Sequence, residues 1–363
     1  MDDGLIPIAR PQFGAEEEAA VLQVMRSGTF AQGPQVKAFE EAFAAATGSR
    51  YAVATSNGTT ALYLALLACG VGPGDEVITS PLTFIATANA IAQTGARPVF
   101  ADVDETLNLD PALAAAAITP QTRAIVPVHL HGNPADMAAF LELTQQRGLV
   151  LIQDACQAVG ATIGTAPLGS LGTAVYSFYA TKNITTGEGG MITTNDPRVA
   201  KMCASLRHQA YGEEPYVHDA VGFNFRMTEL QAAIGLVQLQ RLDAVTKRRQ
   251  DTAAYYDQRI AGNGFQRPPT AAGRTHVFHQ YTLRVLDPAK HSRDGVREQL
   301  ATAGIGSGVY YPVPVHRQPP YRSADETSYP KAELAARDMF SIPVHPGVSD
   351  SDRERVANLV SAL

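Results

Sequence analysis

Between residues 51 and 155 the sequence alternates short apolar runs with alanine-rich stretches, and no other feature constrains the fold as tightly. The runs "YAVATS", "EVITSP", "RPVFADV", "AIVPVHL" and "LVLIQDA" read as short strands, and helices are predicted between them near 59–69, 84–94 and 135–147. Strands alternating with helices in this way form a mostly parallel sheet with helices over its faces. The runs "TAVYSFYA" and "GMITTND" continue the pattern, while "PALAAAAITP" reads as a short helix with prolines at its ends. From about Met227 to Ile260 apolar residues keep helical spacing without proline, which predicts one long helix or a kinked pair. A loop over "GNGFQRPPTAAGRT" follows; then "HQYTLRVL", "SRDGVREQLATAG" and "IGSGVYYPV" read as strand, helix and strand of a smaller C-terminal α/β domain. The expected division is 1–20 as a segment packing with the small domain, 21–245 as the large domain and 246–363 as the small one.

A chain of 363 residues, 45% of them hydrophobic, is long enough for such a large core and a second domain. The formal net charge of −6, with no run of lysine or arginine, argues against nucleic acid or an anionic membrane as the main partner and leaves small molecules. No apolar stretch reaches the roughly 20 residues that a membrane-spanning helix needs. The start, "MDDGLIPIARPQF", lacks the basic and apolar regions of a secretion signal, so a cytoplasmic location is expected. Cys69, Cys156 and Cys203 are too few for a disulfide framework and show no C-x-x-C spacing, so they read as reduced thiols. His129 and His131 in "HLHGN" have metal-like spacing without a further ligand cluster, and no metal is expected there.

Three local patterns carry chemistry. Lys182 lies between the strand-like "TAVYSFYA" and the turn "GEGG", at a strand end, where chemistry in α/β proteins concentrates. Asp154 ends the run "LVLIQDA"; a carboxylate there is poorly suited to burial unless it meets a cation, such as a pyridinium, or caps a helix through "ACQAV". "TSNGTTALYLAL" sets Ser56, Asn57, Gly58, Thr59 and Thr60 between a strand and a helix, which suits a phosphate or makes an ordinary cap. Ser177, five residues before Lys182, could add a hydroxyl near the same anion. "GEGG" is neither a P-loop nor a dinucleotide fingerprint, so ATP and NAD are rejected. A phosphate cradle, an acid for a ring nitrogen and a lysine for an aldehyde together describe a pyridoxal phosphate site.

The order of these motifs resembles the DegT/DnrJ/EryC1/StrS family of sugar-nucleotide aminotransferases. The likeness runs from about Ile6 to the end, through "SGTFAQGPQVKAFEEAFA", "TSNGTTALYLALLACGVGPGDEVITSPLTFIATANAI", "PVHLHGNPADM", "LIQDACQAVGA", "SFYATKNITTGEGGMITTND", "VGFNFRMTELQAAIGLVQL" and "IPVHPGVSD". The resemblance implies an aspartate-aminotransferase-like fold of type I: a large mixed-sheet α/β domain with helices on both faces and a smaller C-terminal α/β domain. It implies that Lys182 forms the internal Schiff base and Asp154 pairs with the pyridine nitrogen. Gln157 would lie by the ring 3-hydroxyl, Phe84 would stack on the ring unless it is a core residue, and Gly58, Thr59 and Ser177 would hold the phosphate. Asn224 would reach the phosphate of a partner subunit in a homodimer with shared active sites. Arg226, unless held in a structural salt bridge, would meet the substrate diphosphate. His316 is a candidate substrate contact, with a solvated loop histidine as the other reading.

The activity implied is transamination of a nucleotide-linked keto sugar, with L-glutamate as donor and pyridoxamine phosphate formed between the two half-reactions. "KNITTGEGG" resembles members that aminate C4 of a 4-keto-6-deoxyhexose more than those that aminate C3. Sugar dehydratases related to the family carry histidine at the lysine position, so Lys182 opposes that reading. A non-catalytic sensor would not be expected to keep Lys182, Asp154 and Gln157 together. An amino-acid aminotransferase, a third alternative, would need an arginine for its carboxylate substrates, and Arg226, Arg284 and Arg317 stand open to that role.

Overall fold

The computed structural model describes residues 4–212, 214, 216–260, 264–322 and 327–363; residues 1–3 of the expected N-terminal segment and the first two residues of the loop expected from Gly262 lie outside them. Among the described residues the strands, in chain order, are β1 Tyr51–Thr55, β2 Glu76–Thr79, β3 Arg97–Phe100, β4 Thr122–Val126, β5 Val150–Asp154, β6 Thr162–Ile163, β7 Ala166–Pro167, β8 Thr173–Ser177, β9 Gly190–Thr194, β10 Phe265–Gln266, β11 Arg274–Thr275, β12 Tyr281–Val285 and β13 Met339–Ile342. Seven of them form one sheet in the order β1-β9-β8-β5-β4-β2-β3. Only β9 runs against its neighbours, antiparallel to β1 and to β8; the other pairings are parallel.

Strand alternation explains why both faces are covered. Val53, Val175 and Ile192 face a cluster with the helix Gly58–Ala68, through Leu62, Ala65 and Leu66. The intervening Ala54, Ala174, Tyr176 and Met191 face the opposite side, against Phe39 and Phe43 of the helix Pro34–Thr47. The predicted helices appear as Gly58–Ala68, Ala86–Gln93 and Met137–Arg147, the last capped by Asp136, whose side chain accepts the N–H of Ala139. "PALAAAAITP" forms the short helix Pro111–Ala116 behind Asp110.

The long periodic stretch is a kinked pair, Glu229–Gln240 and Leu242–Arg259, broken at Arg241. A second sheet, β10-β12-β13, forms a separate core in which Leu283 and Phe340 pack with Tyr256, Val356 and Ile6. Ile6 also pairs with Ile305 in a single parallel bridge. "HQYTLRVL" supplies β12 and "SRDGVREQLATAG" the helix Arg293–Thr302. "IGSGVYYPV" is not a strand: Ile305 and Gly308 each make one isolated bridge, to Ile6 and to Ser341. Backbone packs tightly there, since a Cβ on Gly306 would lie 2.8 Å from the Ile8 nitrogen, and Pro312 stands near the end of the stretch. β13, "MFSI", takes the place beside β12 instead. The loop after Gly262 holds the short strands β10 and β11. No helix among the described residues is long and apolar enough to cross a membrane.

Candidate active site

Strand register gathers the site at one end of the strands of the large sheet. Gly190, the first residue of β9, pairs with Thr55 at the end of β1 and with Ser177 at the end of β8, while Asp154 ends β5 opposite Val175 of β8. Ligands in such sheets bind beyond the C-terminal strand ends.

Behind β1 the chain turns through Ser56 and Asn57 into the helix Gly58–Ala68. The Asn57 side chain accepts the N–H of Thr60 at 2.9 Å, and the helical ladder begins with Ala61 N–H on the Asn57 carbonyl at 3.1 Å. The N–H groups of Gly58 and Thr59, in the first turn, therefore have no intrahelical acceptor and carry the positive end of the helix dipole. A Cβ on Gly58 would lie 2.9 Å from Ser177 Cβ and 3.1 Å from Cys156 Sγ. Glycine thus lets the helix start come down onto Ser177, forming a small anion cradle of two N–H groups and a hydroxyl.

Lys182 follows β8 in a loop held from several sides: its own N–H meets the Tyr179 carbonyl at 2.9 Å, Asn183 Nδ2 donates to Val277 O at 3.0 Å, and Thr185 Oγ1 donates to Phe178 O at 2.9 Å. Burial pushes the Lys182 ammonium below its ordinary pKa, against weaker upward pulls from Cys156 and Asp154. A neutral amine is the form that condenses with an aldehyde.

Asp154 is buried. Its Oδ2 accepts Thr87 Oγ1–H at 2.8 Å and its Oδ1 accepts the N–H of Cys156 at 3.2 Å. It caps no helix, because residues 155–160 form turns. Hydrogen-bonded in this way and without an ion pair among the described residues, the buried carboxylate is suited to a cation brought by a ligand. Gln157 is fixed beside it: its Oε1 accepts the His131 N–H at 2.7 Å and its Nε2 donates to the Tyr311 hydroxyl at 3.2 Å. Phe84 is 54% exposed, which excludes a core role, and its ring lies 5.6 Å from that of Tyr311. Lys182, Asp154, Gln157, Ser177, Gly58 and Thr59 therefore share one region, with Phe84 joined to it through Tyr311.

The remaining candidates are placed differently. Phe223 and Phe225 stack at 4.9 Å and pack on Tyr63 of the cradle helix, and Phe225 O accepts the Ser56 N–H at 2.8 Å, so Asn224 between them stays exposed. Arg226 contacts His208 Nδ1 through Nη1 at 2.7 Å and forms no salt bridge among the described residues. His316 is not a solvated loop histidine: it is buried on the wall of a cleft that Arg317, Tyr321 and Arg322 also line. Its Nε2 lies 2.8 Å from Glu333 Oε1, its Nδ1 is buried, and its ring packs on Tyr329. Arg317 is likewise paired with Glu333, at 2.9 Å. The histidines of "HLHGN" have protein partners, His129 with Gln153 and the Ala135 N–H, His131 with Tyr310 O.

Sequence reasoning missed Thr87 and Tyr311, and took Gly190 only as part of the turn "GEGG". Only the two hydroxyls of "TFIAT", Thr83 and Thr87, four apart at a helix start, offered a signal.

The profile of the DegT/DnrJ/EryC1/StrS aminotransferase family matches residues 11–361. The chain is 44% identical to GDP-perosamine synthase of Caulobacter vibrioides over 359 residues, 97% of this chain and 96% of that protein. Its fold superposes on S. venezuelae DesV, solved with a ketimine intermediate, with a TM-score of 0.92 at 40% identity, over 96% of this chain and 94% of that one. The sugar aminotransferase Spr1654 of Streptococcus pneumoniae, described as putative, superposes in its PLP form with a TM-score of 0.92 at 30% identity, over 99% and 98% of the two chains, and is also known in a PMP form. A cradle for phosphate, a buried carboxylate for a ring cation and a depressed lysine fit the pyridoxal phosphate of the Spr1654 PLP form: the chain belongs to the DegT/DnrJ/EryC1/StrS aminotransferase family, pyridoxal-phosphate enzymes of fold type I.

Proposed function

We propose that the protein transfers the amino group of L-glutamate to C4 of a nucleotide-linked 4-keto-6-deoxyhexose. The observation that carries this reading is the convergence of Lys182, Asp154 and the Gly58, Thr59 and Ser177 cradle at one end of the sheet's strands. Likeness to GDP-perosamine synthase supports the nucleotide-sugar class, and the run "KNITTGEGG" is the reason for C4 rather than C3.

When bound, pyridoxal phosphate supplies an electron sink for the carbon next to the reacting nitrogen. The roles proposed for the residues of the protein are these. Gly58 and Thr59 N–H and the Ser177 hydroxyl bind the phosphate. Asp154 would hold a proton on the ring nitrogen, and Gln157, immobilised by His131 and Tyr311, would hold the ring 3-hydroxyl. Lys182 anchors the aldehyde and, once released, moves the proton at the reacting carbon as a general base; burial favours the neutral amine that both tasks require. Phe84, exposed beside Tyr311, offers a face for the ring.

A second copy of the chain completes the site in this proposal. Asn224, exposed between two anchored phenylalanines, would reach the partner's phosphate, and Arg226, without a carboxylate partner among the described residues, the diphosphate of the sugar nucleotide. Amino transfer then proceeds in two half-reactions with double-displacement kinetics.

The test is to supply purified holoenzyme with L-glutamate and GDP- or TDP-linked 4-keto-6-deoxyhexoses and to locate the new amine by mass spectrometry and NMR. Amination at C4 with 2-oxoglutarate released supports the proposal. Amination at C3, or amine transfer only between amino acids and 2-oxo acids, contradicts it.

A further inference from the structure

The carboxylate of Asp154 does not stand alone. Its Oδ2 accepts the hydroxyl proton of Thr87 at 2.8 Å, and Thr87 Oγ1 lies 2.9 Å from Thr83 Oγ1. Asp154 is 5% exposed, and Thr83 and Thr87 are each 2% exposed. An ionised carboxylate only accepts hydrogen bonds, and a hydroxyl carries one proton. Thr87 gives its proton to Asp154, so Thr83 is the donor in the contact between the threonines. The direction of the chain Thr83 to Thr87 to Asp154 is fixed.

We propose that Thr87 is a positioning residue for amino transfer: its hydroxyl, held by Thr83, keeps the Asp154 carboxylate in the plane in which it meets the cofactor's ring nitrogen. This rests on the function proposed above. Two donors from separate elements define that plane, Thr87 from the start of the helix Ala86–Gln93 and the Cys156 N–H from the turn after β5. Each holds one oxygen, so the carboxylate cannot rotate without breaking one of them. Thr87 is itself restrained, since a β-branched side chain on a helix has few rotamers and turning away would strand two buried groups. A threonine in a helix commonly returns its hydroxyl to the carbonyl one turn back. Here the hydroxyl goes to a carboxylate 67 residues away in sequence.

The experiment compares wild type, Thr87→Val and Thr87→Ser, each reconstituted with pyridoxal phosphate labelled with nitrogen-15 in the ring. Valine keeps the shape and removes the donor; serine restores it. Thr87→Val is expected to bind the cofactor, to move the ring-nitrogen resonance from the protonated toward the unprotonated position, and to lower kcat about 10- to 100-fold while KM for the amino donor stays within about threefold. Thr87→Ser is expected to restore the wild-type resonance and most of kcat. An unchanged resonance and kcat in Thr87→Val, or a loss that Thr87→Ser shares, would overturn the proposal. Should Thr87→Val not fold, Thr83→Val reads the same chain one step back: a smaller shift in the same direction supports it, and no shift overturns it. A wild-type ring nitrogen that is never protonated removes the proposed role of Asp154 as well, whereas a protonated one indifferent to Thr87 removes only this inference.

Discussion

Gly190 packs its α-carbon against Asn57. A Cβ at position 190 would lie 2.3 Å from the Asn57 carbonyl oxygen and 2.6 Å from Thr55 Oγ1. The first obstacle is backbone, so no rotamer change relieves it, and the turn leading into the cradle helix would have to move. Gly190→Ala is expected to cost about 1–3 kcal/mol and to lower the cofactor content of the purified protein. Gly187→Ala is the control: its φ of +80° adds strain, but nothing lies within 4 Å of the new Cβ, so cofactor content should hold. Thermal melting together with the absorbance of bound cofactor checks both.

Glu229 ties two distant motifs together. Its carboxylate, 1% exposed by residue, accepts the N–H groups of Gly33, Gln35 and Val36 at 2.8, 2.8 and 2.9 Å, capping the helix Pro34–Thr47 from another part of the chain. Glu229→Ala strands those donors, and the expected cost is about 3 kcal/mol in urea unfolding. A loss below about 1 kcal/mol would mean that water replaces the carboxylate.

Much of the site could be read from local sequence because its parts are local. A strand end followed by Ser-Asn-Gly-Thr, an aspartate closing an apolar run and a lysine before a glycine turn each announce themselves within a dozen residues. Thr87 and Tyr311 do not, because their importance lies in contacts with Asp154 and Gln157, 67 and 154 residues away. The burial of His316 was not legible for the same reason, since Glu333 and Tyr329 remove it from solvent only in the fold. The failed strand over "IGSGVYYPV" shows apolar alternation losing to close backbone packing at Gly306, while β13 was passed over within "MFSIPV".

Tyr311 carries a further expectation. Tyr311→Phe removes the acceptor for Gln157 Nε2 while keeping the ring against Phe84, so it should cost about 1 kcal/mol and lower kcat several-fold. Tyr311→Ala, which also removes the neighbour of Phe84, should cost more. Steady-state kinetics and melting curves of the two variants separate the hydroxyl from the ring.

Acid should destabilise the protein before its carboxylates titrate. Burial pushes His129 and His131 down to about 4 and His276 to about 3 from an ordinary value of 6.5. The unfolded chain takes up these protons as pH falls below 6.5 and the folded chain does not, so this stability is present above 6.5 and is lost as pH falls toward 4. For His129 and His131 the loss is at most about 3 kcal/mol each. Glu333, held down to about 2 in its cluster with His316 and Arg317, responds only at lower pH. Melting temperatures between pH 7 and 4.5 should fall steadily; a flat profile would contradict the burial of these rings.

The most direct measurement is to reduce the purified holoenzyme with borohydride, digest it and sequence the peptide that carries the cofactor. The label is expected on Lys182 alone, within "SFYATKNITTGEGG", and Lys182→Ala should take up no label and retain no amino transfer. A label on another lysine, or transfer that survives in Lys182→Ala, would contradict the account at its centre.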